Sequence, residues 1–391
     1  MISFLAKIFL PDADDYTSPK TRQGYGVLCG AVGIFLNILL FTGKFLAGTI
    51  SRSIAITADA FNNLSDAGSS IITLVGFRMA GQKPDPEHPF GHGRIEYISG
   101  FLVSIAILMM AFELIKSSVE KILHPEETSL TPMVLIILLF SIAVKVYMCF
   151  YNRSTAKKIE SAAMSATAMD SLSDSMATTV VLLSSLFTHF TGIIVDGWCG
   201  VAVGLFILYA GFHAAKETLS PLLGQPPEAD FVEHIRSLVL GYPNVLGIHD
   251  LIVHNYGPGR VMISLHAEVP ASGNILALHD TIDCIEHRLK DELHCEAVIH
   301  MDPVLNDDQE TSEYKTLVLD VLKNIDPVLS LHDFRIVKGP THTNLIFDLV
   351  KPFGFPMTDQ ELQSCVCRSV QERQADLFVV MEIDTDYVSA K

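Results

Sequence analysis

Six apolar stretches fill the first part of the chain and constrain its fold more than any other feature of the sequence. Roughly 20 consecutive apolar residues are enough for a helix to cross a bilayer, and each stretch approaches or exceeds that length. They cover residues 25–50, 54–80, 97–115, 133–151, 159–187 and 193–215. We therefore expect an all-α membrane domain with six transmembrane helices.

The composition predicts a second, soluble part. Of the 391 residues, 49% are hydrophobic, which is too apolar for an ordinary soluble protein, and the formal net charge is -17. After Pro226 amphipathic helices alternate with short strands, and acidic residues outnumber basic ones about two to one. Because a phosphate-binding surface needs clustered Lys and Arg, and no such cluster occurs, we expect no nucleic-acid partner.

Lys and Arg are unevenly distributed over the short segments between the apolar stretches, and this predicts the orientation. One side has Arg52, Lys116 and Lys121, and the other has Lys20, Arg22, Lys83, Arg94, Arg153, Lys157, Lys158 and Lys216. The richer side is expected to be cytoplasmic, so both termini of a multi-pass cell-membrane protein would be cytoplasmic. The scattered cysteines form neither a disulfide framework nor a C-x2-C zinc site.

The soluble part repeats itself. VLGIHDLIVHNYGPGRVMISLHAEV is echoed about 82 residues later by VLSLHDFRIVKGPTHTNLIFDLV, and AVIHMDP is answered by VVMEIDT. We interpret this as two tandem copies of a ferredoxin-like αββαβ module, an α+β fold, at residues 226–305 and 312–388. An N-terminal segment of residues 1–23 and the membrane domain of residues 24–217 precede them.

Two polar pairs interrupt the second and fifth apolar stretches. Asn62 and Asp66 lie four residues apart in TADAFNNLSDAGSS, and Asp170 and Asp174 repeat that spacing in SATAMDSLSDSMATT. Residues four apart share one helix face, and ionisable side chains inside membrane helices usually face a bundle interior or a pathway. The four residues therefore predict a cation site, although they would also serve as helix caps or as partners of nearby backbone groups.

The donor types in these pairs indicate which ion would bind. Three carboxylates and one amide oxygen suit a hard cation such as Mn²⁺ or Mg²⁺, whereas imidazole and thiolate favour zinc and copper. Mn²⁺ is therefore the favoured ion. Because the three carboxylates repel one another, a proton is expected to replace the metal when the site is empty.

Several motifs, in order, resemble those of the cation diffusion facilitator family. They are DAFNNLSD, HPFGHGRIEY and MDSLSD in the membrane part, and VLGIHDL, SLHAEV and VIHMDP in the soluble part. The resemblance covers residues from about 24 to 305 and leaves out the second αββαβ copy. It implies six membrane helices, a homodimer, a metal site between the second and fifth helices, and export of divalent metal in exchange for protons.

The resemblance also implies that the transport site consists of Asn62, Asp66, Asp170 and Asp174. Zinc-transporting relatives tend to carry histidine in this set, and its absence here points to the manganese-type subgroup. The transported cation is then a substrate and H⁺ the counter-ion, with no cofactor and no catalytic residue.

Two further groups match positions where relatives bind metal. Asp85, His88 and His92 lie in the polar loop after the second stretch. The other group lies in the first αββαβ copy and consists of His249, His266, His279, His300 and Asp302. In the second copy His332 matches His249, but the remaining matched positions carry Asp348, Glu382 and Asp384. Oxygen in place of nitrogen indicates either a regulatory site for a harder ion or divergence after duplication, and we favour divergence.

Three other functions compete with manganese export. The first is a zinc, iron or cobalt exporter of the same family. The second is a membrane phosphotransferase that uses D-x3-D carboxylates on metal ions, but MDSLSDSMA lacks the Asp-Gly and Ala-Arg elements expected nearby. The third is a signalling protein with a membrane anchor, for which the pair Asp170 and Asp174 would be dispensable. We expect a transporter and not an enzyme.

Overall fold

The computed structural model divides the chain into two compact units. It describes residues 2–10, 14–16, 18–51, 54–124, 132–191, 193, 195–304, 309–339 and 341–386. The first unit comprises Met1–Gln225 and Asn255–Arg260, and the second comprises Pro226–His254 and Val261–Lys391. Parts of the expected N-terminal segment, of the linker near residue 306 and of the C-terminus lie outside the described residues.

The first unit is helical. A short helix, α1 (Ile2–Phe9), precedes six long ones, α2 (Pro19–Ser51), α3 (Ile54–Ala80), α4 (Ile95–Leu123), α5 (Pro132–Lys158), α6 (Ala162–Thr191) and α7 (Asp196–Leu223). Each of the six apolar stretches coincides with one long helix.

Most helices extend beyond the expected boundaries, and three of the differences concern α4, α6 and α7. α4 continues to Leu123, so charged residues expected in a loop are helical; Lys and Glu are good helix formers. α6 begins at Ala162 instead of residue 159, because Glu160 adopts a left-handed conformation with φ of 47° that separates it from α5. α7 begins at Asp196 instead of residue 193, and an acidic residue is favourable at a helix N-terminus.

Four of the long helices contain segments apolar enough to cross a membrane. These segments are Lys20–Ala47, Ile95–Leu123, Leu135–Lys158 and Gly197–Leu223. Within the described part of the chain, α3 and α6 do not reach the same hydropathy, because each combines Asp with many Ser and Thr residues. Apolarity thus supports four of the six expected spans, and the other two are the helices that carry the polar pairs.

Small and hydroxyl-bearing residues bring the helices close together. α2 packs on α3, α4 on α7 and α5 on α6. At Gly100 of α4, an added Cβ would lie 2.8 Å from Ala163 Cα and 2.8 Å from Thr218 Cγ2, so only glycine permits this approach. The hydroxyls of Thr73 and Thr167 form a hydrogen bond of 2.8 Å between α3 and α6, which holds together the two helices that carry the polar pairs.

The second unit contains the same order of elements twice. The first set is α8 (Ala229–Leu240), β1 (Gly247–Asn255), β2 (Val261–Pro270), α9 (Ile275–Leu293) and β3 (Cys295–Val304). The second set is α10 (Gln309–Ile325), β4 (Ser330–Lys338), β5 (Thr343–Pro352), α11 (Asp359–Arg373) and β6 (Leu377–Asp386). α10 thus begins three residues before the expected start of the second module at residue 312.

Each set forms a three-stranded sheet whose middle strand is the second one. β2 pairs with β3 in parallel, β5 pairs with β6 in parallel, and β4 pairs with β5 in antiparallel orientation. Side chains along β2 and β5 alternate between buried and half-buried, as expected for sheets covered by helices on one face. His266 and Asp348 occupy half-buried positions of this alternation, on the face opposite the buried Leu265 and Phe347.

Candidate metal sites

Asp66 of α3 and Asp174 of α6 contact the same buried ammonium group. The Nζ of Lys145 in α5 lies 2.7 Å from Asp66 Oδ2 and 2.6 Å from Asp174 Oδ2. The side chain of Lys145 is only 3% exposed, and those of Asp66 and Asp174 are 15% and 10% exposed. Three helices therefore gather two carboxylates around one positive charge, which compensates for removing them from water.

Asp170 lies one turn before Asp174 and is also buried. Ser69 of α3 lies beside it, so Asp170 too lies where α3 and α6 meet. Several groups of described residues have metal-ligating atoms that all lie within 4.8 Å of one another. Asp66, Asp170 and Asp174 do not form such a group. The three predicted carboxylates therefore lie where α3 and α6 pack together, and Lys145 lies between those of Asp66 and Asp174.

The neighbouring asparagines of α3 differ in their surroundings. Asn62, which the motif spacing selects, is exposed, and no described hydrogen bond joins it to Asp66. Asn63 is buried, and its Nδ2 donates to Asp66 Oδ2 over 3.2 Å. The Oδ1 of Asn63 is buried without a hydrogen-bond partner. Asn63 is therefore the amide that contacts the carboxylate group.

The loop residues Asp85, His88 and His92 come together as their spacing predicts. His88 Nδ1 lies 3.4 Å from Asp85 Oδ1, and His92 Nε2 lies 3.3 Å from Asp85 Oδ2. The backbone N–H of His88 donates to Asp85 Oδ1 over 2.7 Å; this bond, above all, holds the pKa of the Asp85 carboxyl below its usual value, and the His92 charge adds to the effect. The three side chains present a compact donor set.

In the second unit, His249, His266 and Asp302 form another group. Asp302 Oδ2 lies 2.8 Å from His266 Nδ1 and 3.2 Å from His249 Nε2. The fourth member is Asp333 of β4, which the sequence did not predict. His300 lies at the edge, with its Nε2 3.2 Å from Asp302 Oδ1. His279 is exposed on α9 and belongs to none of the donor groups formed by the described residues.

His332, Asp348 and Asp384 form a third group, in the second set of elements. Burial, more than any other cause, raises the pKa values of the Asp348 and Asp384 carboxyls, and the nearby charge of Asp250 raises that of Asp384 further. The interpretation that these positions diverged after duplication did not predict that the three side chains would lie close together.

Sequence reasoning gave no site role to four residues that lie in or beside these groups, and three of them left a signal. Lys145 is a lone charge within an apolar run, and Asp250 and Asp333 each follow the histidine of a repeated His-Asp dipeptide. Asn63 has no such signal, because it differs from Asn62 only in its position on the helix.

Comparison with known proteins bears on what these groups do. The family model described as the cation efflux transmembrane domain matches residues 31–223, and the one described as the cation efflux protein cytoplasmic domain matches residues 227–304. An uncharacterised transporter of Methanocaldococcus jannaschii is 32% identical over 269 residues, which cover 68% of this chain and 95% of that protein. The chain belongs to the cation efflux family.

Two other relatives have more informative names. The manganese efflux system protein MneS of Bacillus subtilis is 26% identical, over 70% of this chain and 94% of its own length. The cation-efflux pump FieF of Escherichia fergusonii is 25% identical, over 72% of this chain and 95% of its own length. This cation efflux protein is thus a multi-pass membrane transporter of divalent cations, and not an enzyme.

The contact between Asn63 and Asp66 generates a prediction that the motif alone does not make. Asn63→Ala removes a hydrogen bond to a charged group, worth about 1.5–3 kcal/mol, and should lower the kcat/KM of divalent cation transport by about tenfold or more. Initial rates of metal uptake into proteoliposomes measure it. Ser65→Ala, an exposed neighbour on α3, is the control, and an Asn63→Ala rate equal to that of the control contradicts the assignment.

Proposed function

We propose that this protein exports Mn²⁺ from the cytoplasm in exchange for protons, through a site between α3 and α6. The observation that carries the proposal is that Asp66 and Asp174 already hold a cation, the Lys145 ammonium, at 2.7 and 2.6 Å. Carboxylate and amide oxygens suit Mn²⁺ better than zinc or copper. The name of the MneS relative, a manganese efflux protein, supports the same ion.

In this proposal Asp66, Asp170 and Asp174 are the carboxylate ligands of the transported ion. Asn62 lies one turn before Asp66, and its exposed amide offers a further oxygen to an arriving ion. Asn63 has a different role: its Nδ2 holds Asp66 Oδ2 and so orients that carboxylate. Asn62 thus serves as a ligand, and Asn63 positions the carboxylate of Asp66.

Lys145 has a defined part in the transport cycle. Without metal, its ammonium occupies the space between Asp66 and Asp174 and offsets their repulsion. A divalent ion that binds the same oxygens must displace the ammonium from at least one of them, since two cations at such a distance repel each other. Protons that enter from the other side then help to release the metal and restore the contact with Lys145.

The proposed arrangement in the membrane has α2–α7 as six spans, with both termini in the cytoplasm of the cell and two chains forming a homodimer. The domains would be residues 1–23, 24–217, 226–305 and 312–388. The last two would be tandem copies of one module, a proposal supported by their common strand order. Asp85, His88 and His92 would form a second metal site, and His249, His266, His300 and Asp302 a third, near which His279 adds no ligand in this conformation.

Transport itself is the first test. Proteoliposomes with an imposed pH gradient and a Mn²⁺-sensitive dye should show Mn²⁺ movement against its gradient, driven by protons. Asp174→Asn removes one charged oxygen of the site and should lower the rate by about a hundredfold or more, since interactions with a charged group are worth several kcal/mol. Asp196→Asn, at the start of α7, is a matched control expected to retain transport.

The same assay decides the ion and the coupling. Zn²⁺, Fe²⁺ and Co²⁺ should compete weakly with Mn²⁺, and Asn62→His combined with Asp170→His should shift the preference towards Zn²⁺. Stronger transport of Zn²⁺ than of Mn²⁺ by the wild type contradicts the manganese assignment. Mn²⁺ flux that does not respond to the pH gradient contradicts proton exchange.

The position of Lys145 generates a separate prediction. Lys145→Met removes the competing charge, so the KM for Mn²⁺ should fall by about tenfold, equivalent to about 1.4 kcal/mol, while kcat falls because release is hindered. Steady-state transport measures both. Lys44→Met, which removes another buried lysine of the same unit, is the control. An unchanged or higher KM in Lys145→Met would show that the ammonium does not compete with the metal.

A further inference from the structure

The first strands of the two αββαβ sets share an unusual local geometry. β1 contains His249-Asp250 and β4 contains His332-Asp333, and the two aspartates have φ values of 51° and 52°. Aspartate is among the few residues other than glycine that adopt this left-handed region. In β4 the pairing with β5 also shifts register between His332 and Arg335. Such irregularities redirect side chains, and both sets have the left-handed aspartate.

The redirected residues meet across the two sets. The rings of His249 and His332 stack with centroids 4.2 Å apart and an interplanar angle of 17°. The Nε2 atom of each histidine then lies near one aspartate of its own set and one of the other, while its Nδ1 lies near the aspartate that follows it in sequence. His249 Nε2 lies 3.2 Å from Asp302 Oδ2 and 3.4 Å from Asp333 Oδ1.

His332 makes the corresponding contacts, with the two sets exchanged. Its Nε2 lies 3.5 Å from Asp384 Oδ2 in its own set and 3.7 Å from Asp250 Oδ1 in the other. The two crossed arrangements are thus related by an approximate twofold exchange of the sets. We name them the first cage, formed by His249, His266, Asp302 and Asp333, and the second cage, formed by His332, Asp348 and Asp384 with Asp250 beside His332 Nε2. Asp250 also forms a donor group with the two stacked histidines, His249 and His332.

The histidine nitrogens are placed for a ligand. The His249 side chain is only 6% exposed, and its Nε2 is buried with no hydrogen-bond partner although it faces two carboxylates. His332 is 8% exposed, and its Nε2 faces Asp384 and Asp250 of the second cage. Its Nδ1, 3.7 Å from Asp333 Oδ2, has no hydrogen-bond partner. Buried polar atoms nearly always have a partner, and carboxylates that converge repel one another unless a cation lies between them. A bound cation satisfies both conditions.

We propose that the two αββαβ sets bind two divalent cations at their shared face, each cage being completed by an aspartate of the other set. This inference rests on the third metal site proposed above, to which it adds the second set and the crossed aspartates, and is independent of the transport site in the membrane unit. It gives the second set a role: it is a partner within the same chain that supplies Asp333 to the first cage and receives Asp250 in the second. Bound metal therefore holds the two sets together.

The two cages differ in chemistry. The first offers two imidazoles and two carboxylates, whereas the second offers one imidazole and three carboxylates. Imidazole suits zinc, iron and cobalt, and carboxylates suit harder ions such as Mn²⁺. The first cage should therefore prefer zinc-like ions, and the second should tolerate Mn²⁺. The pair would then respond to more than one metal.

The crossed ligands can be tested by Co²⁺ binding to the purified full-length protein, measured by equilibrium dialysis in an Asp174→Asn background that removes binding at the transport site. His266→Ala and Asp333→Asn should each remove one bound Co²⁺, and together they should remove no more than one. Asp348→Asn and Asp250→Asn should behave as a second such pair. Asp333→Asn with Asp250→Asn should remove two.

The alternative is that each set holds its own ion. Asp333→Asn and Asp348→Asn would then remove the same bound Co²⁺, whereas Asp333→Asn and His266→Ala would remove different ones. This result would overturn the proposal. Unchanged Co²⁺ binding in all four variants would overturn it as well. Circular dichroism checks that each variant is folded; Asp333→Ser gives the same readout at that position if Asp333→Asn is unfolded.

Discussion

The contact of one ammonium with two carboxylates, between Lys145, Asp66 and Asp174, is the interaction on which the membrane unit depends. Charged groups far from water are costly unless they are paired and hydrogen-bonded. Here the two short contacts, 2.7 and 2.6 Å, link α3, α5 and α6. The helices that carry these charged residues therefore cannot consist of apolar residues alone.

This constraint explains why α3 and α6 differ from the other long helices. They carry Asn63, Asp66, Asp170 and Asp174, together with many small and hydroxyl-bearing residues, and so fall short of the hydropathy of α2, α4, α5 and α7. Small residues permit close approach, and the hydrogen bond between Thr73 and Thr167 crosses the same interface. The polar side chains of α3 and α6 thereby lie at the contact between the two helices, while other faces of both helices expose apolar side chains such as Ile71 and Leu183.

The second unit solves a similar electrostatic problem with different side chains. Its converging carboxylates are accompanied by imidazoles instead of a lysine, and its two sets of elements share the donors. An imidazole is a metal ligand in its own right, whereas an ammonium only competes with a metal. The membrane site therefore suits an ion that has to leave, and the shared cages suit ions that stay.

Local pattern was enough to predict much of this. The helical membrane part and the α+β part are confirmed. Asp85, His88 and His92, which were matched to a metal site of relatives, lie together in the loop, and metal binding there stays a prediction. Other features depend on long-range packing. Lys145 reaches Asp66 only because α5 packs on α6, and Asp333 reaches His249 only because two sheets meet. The difference between Asn62 and Asn63 depends on the exact rotation of α3, which a spacing of four residues does not define.

A structure of the protein with Mn²⁺, determined with anomalous scattering from the metal, tests the central claim most directly. The account predicts a peak among Asp66, Asp170 and Asp174, with Lys145 Nζ withdrawn from at least one of the two carboxylates that it contacts without metal. A peak elsewhere in the membrane unit, with Lys145 still bridging Asp66 and Asp174, would contradict it.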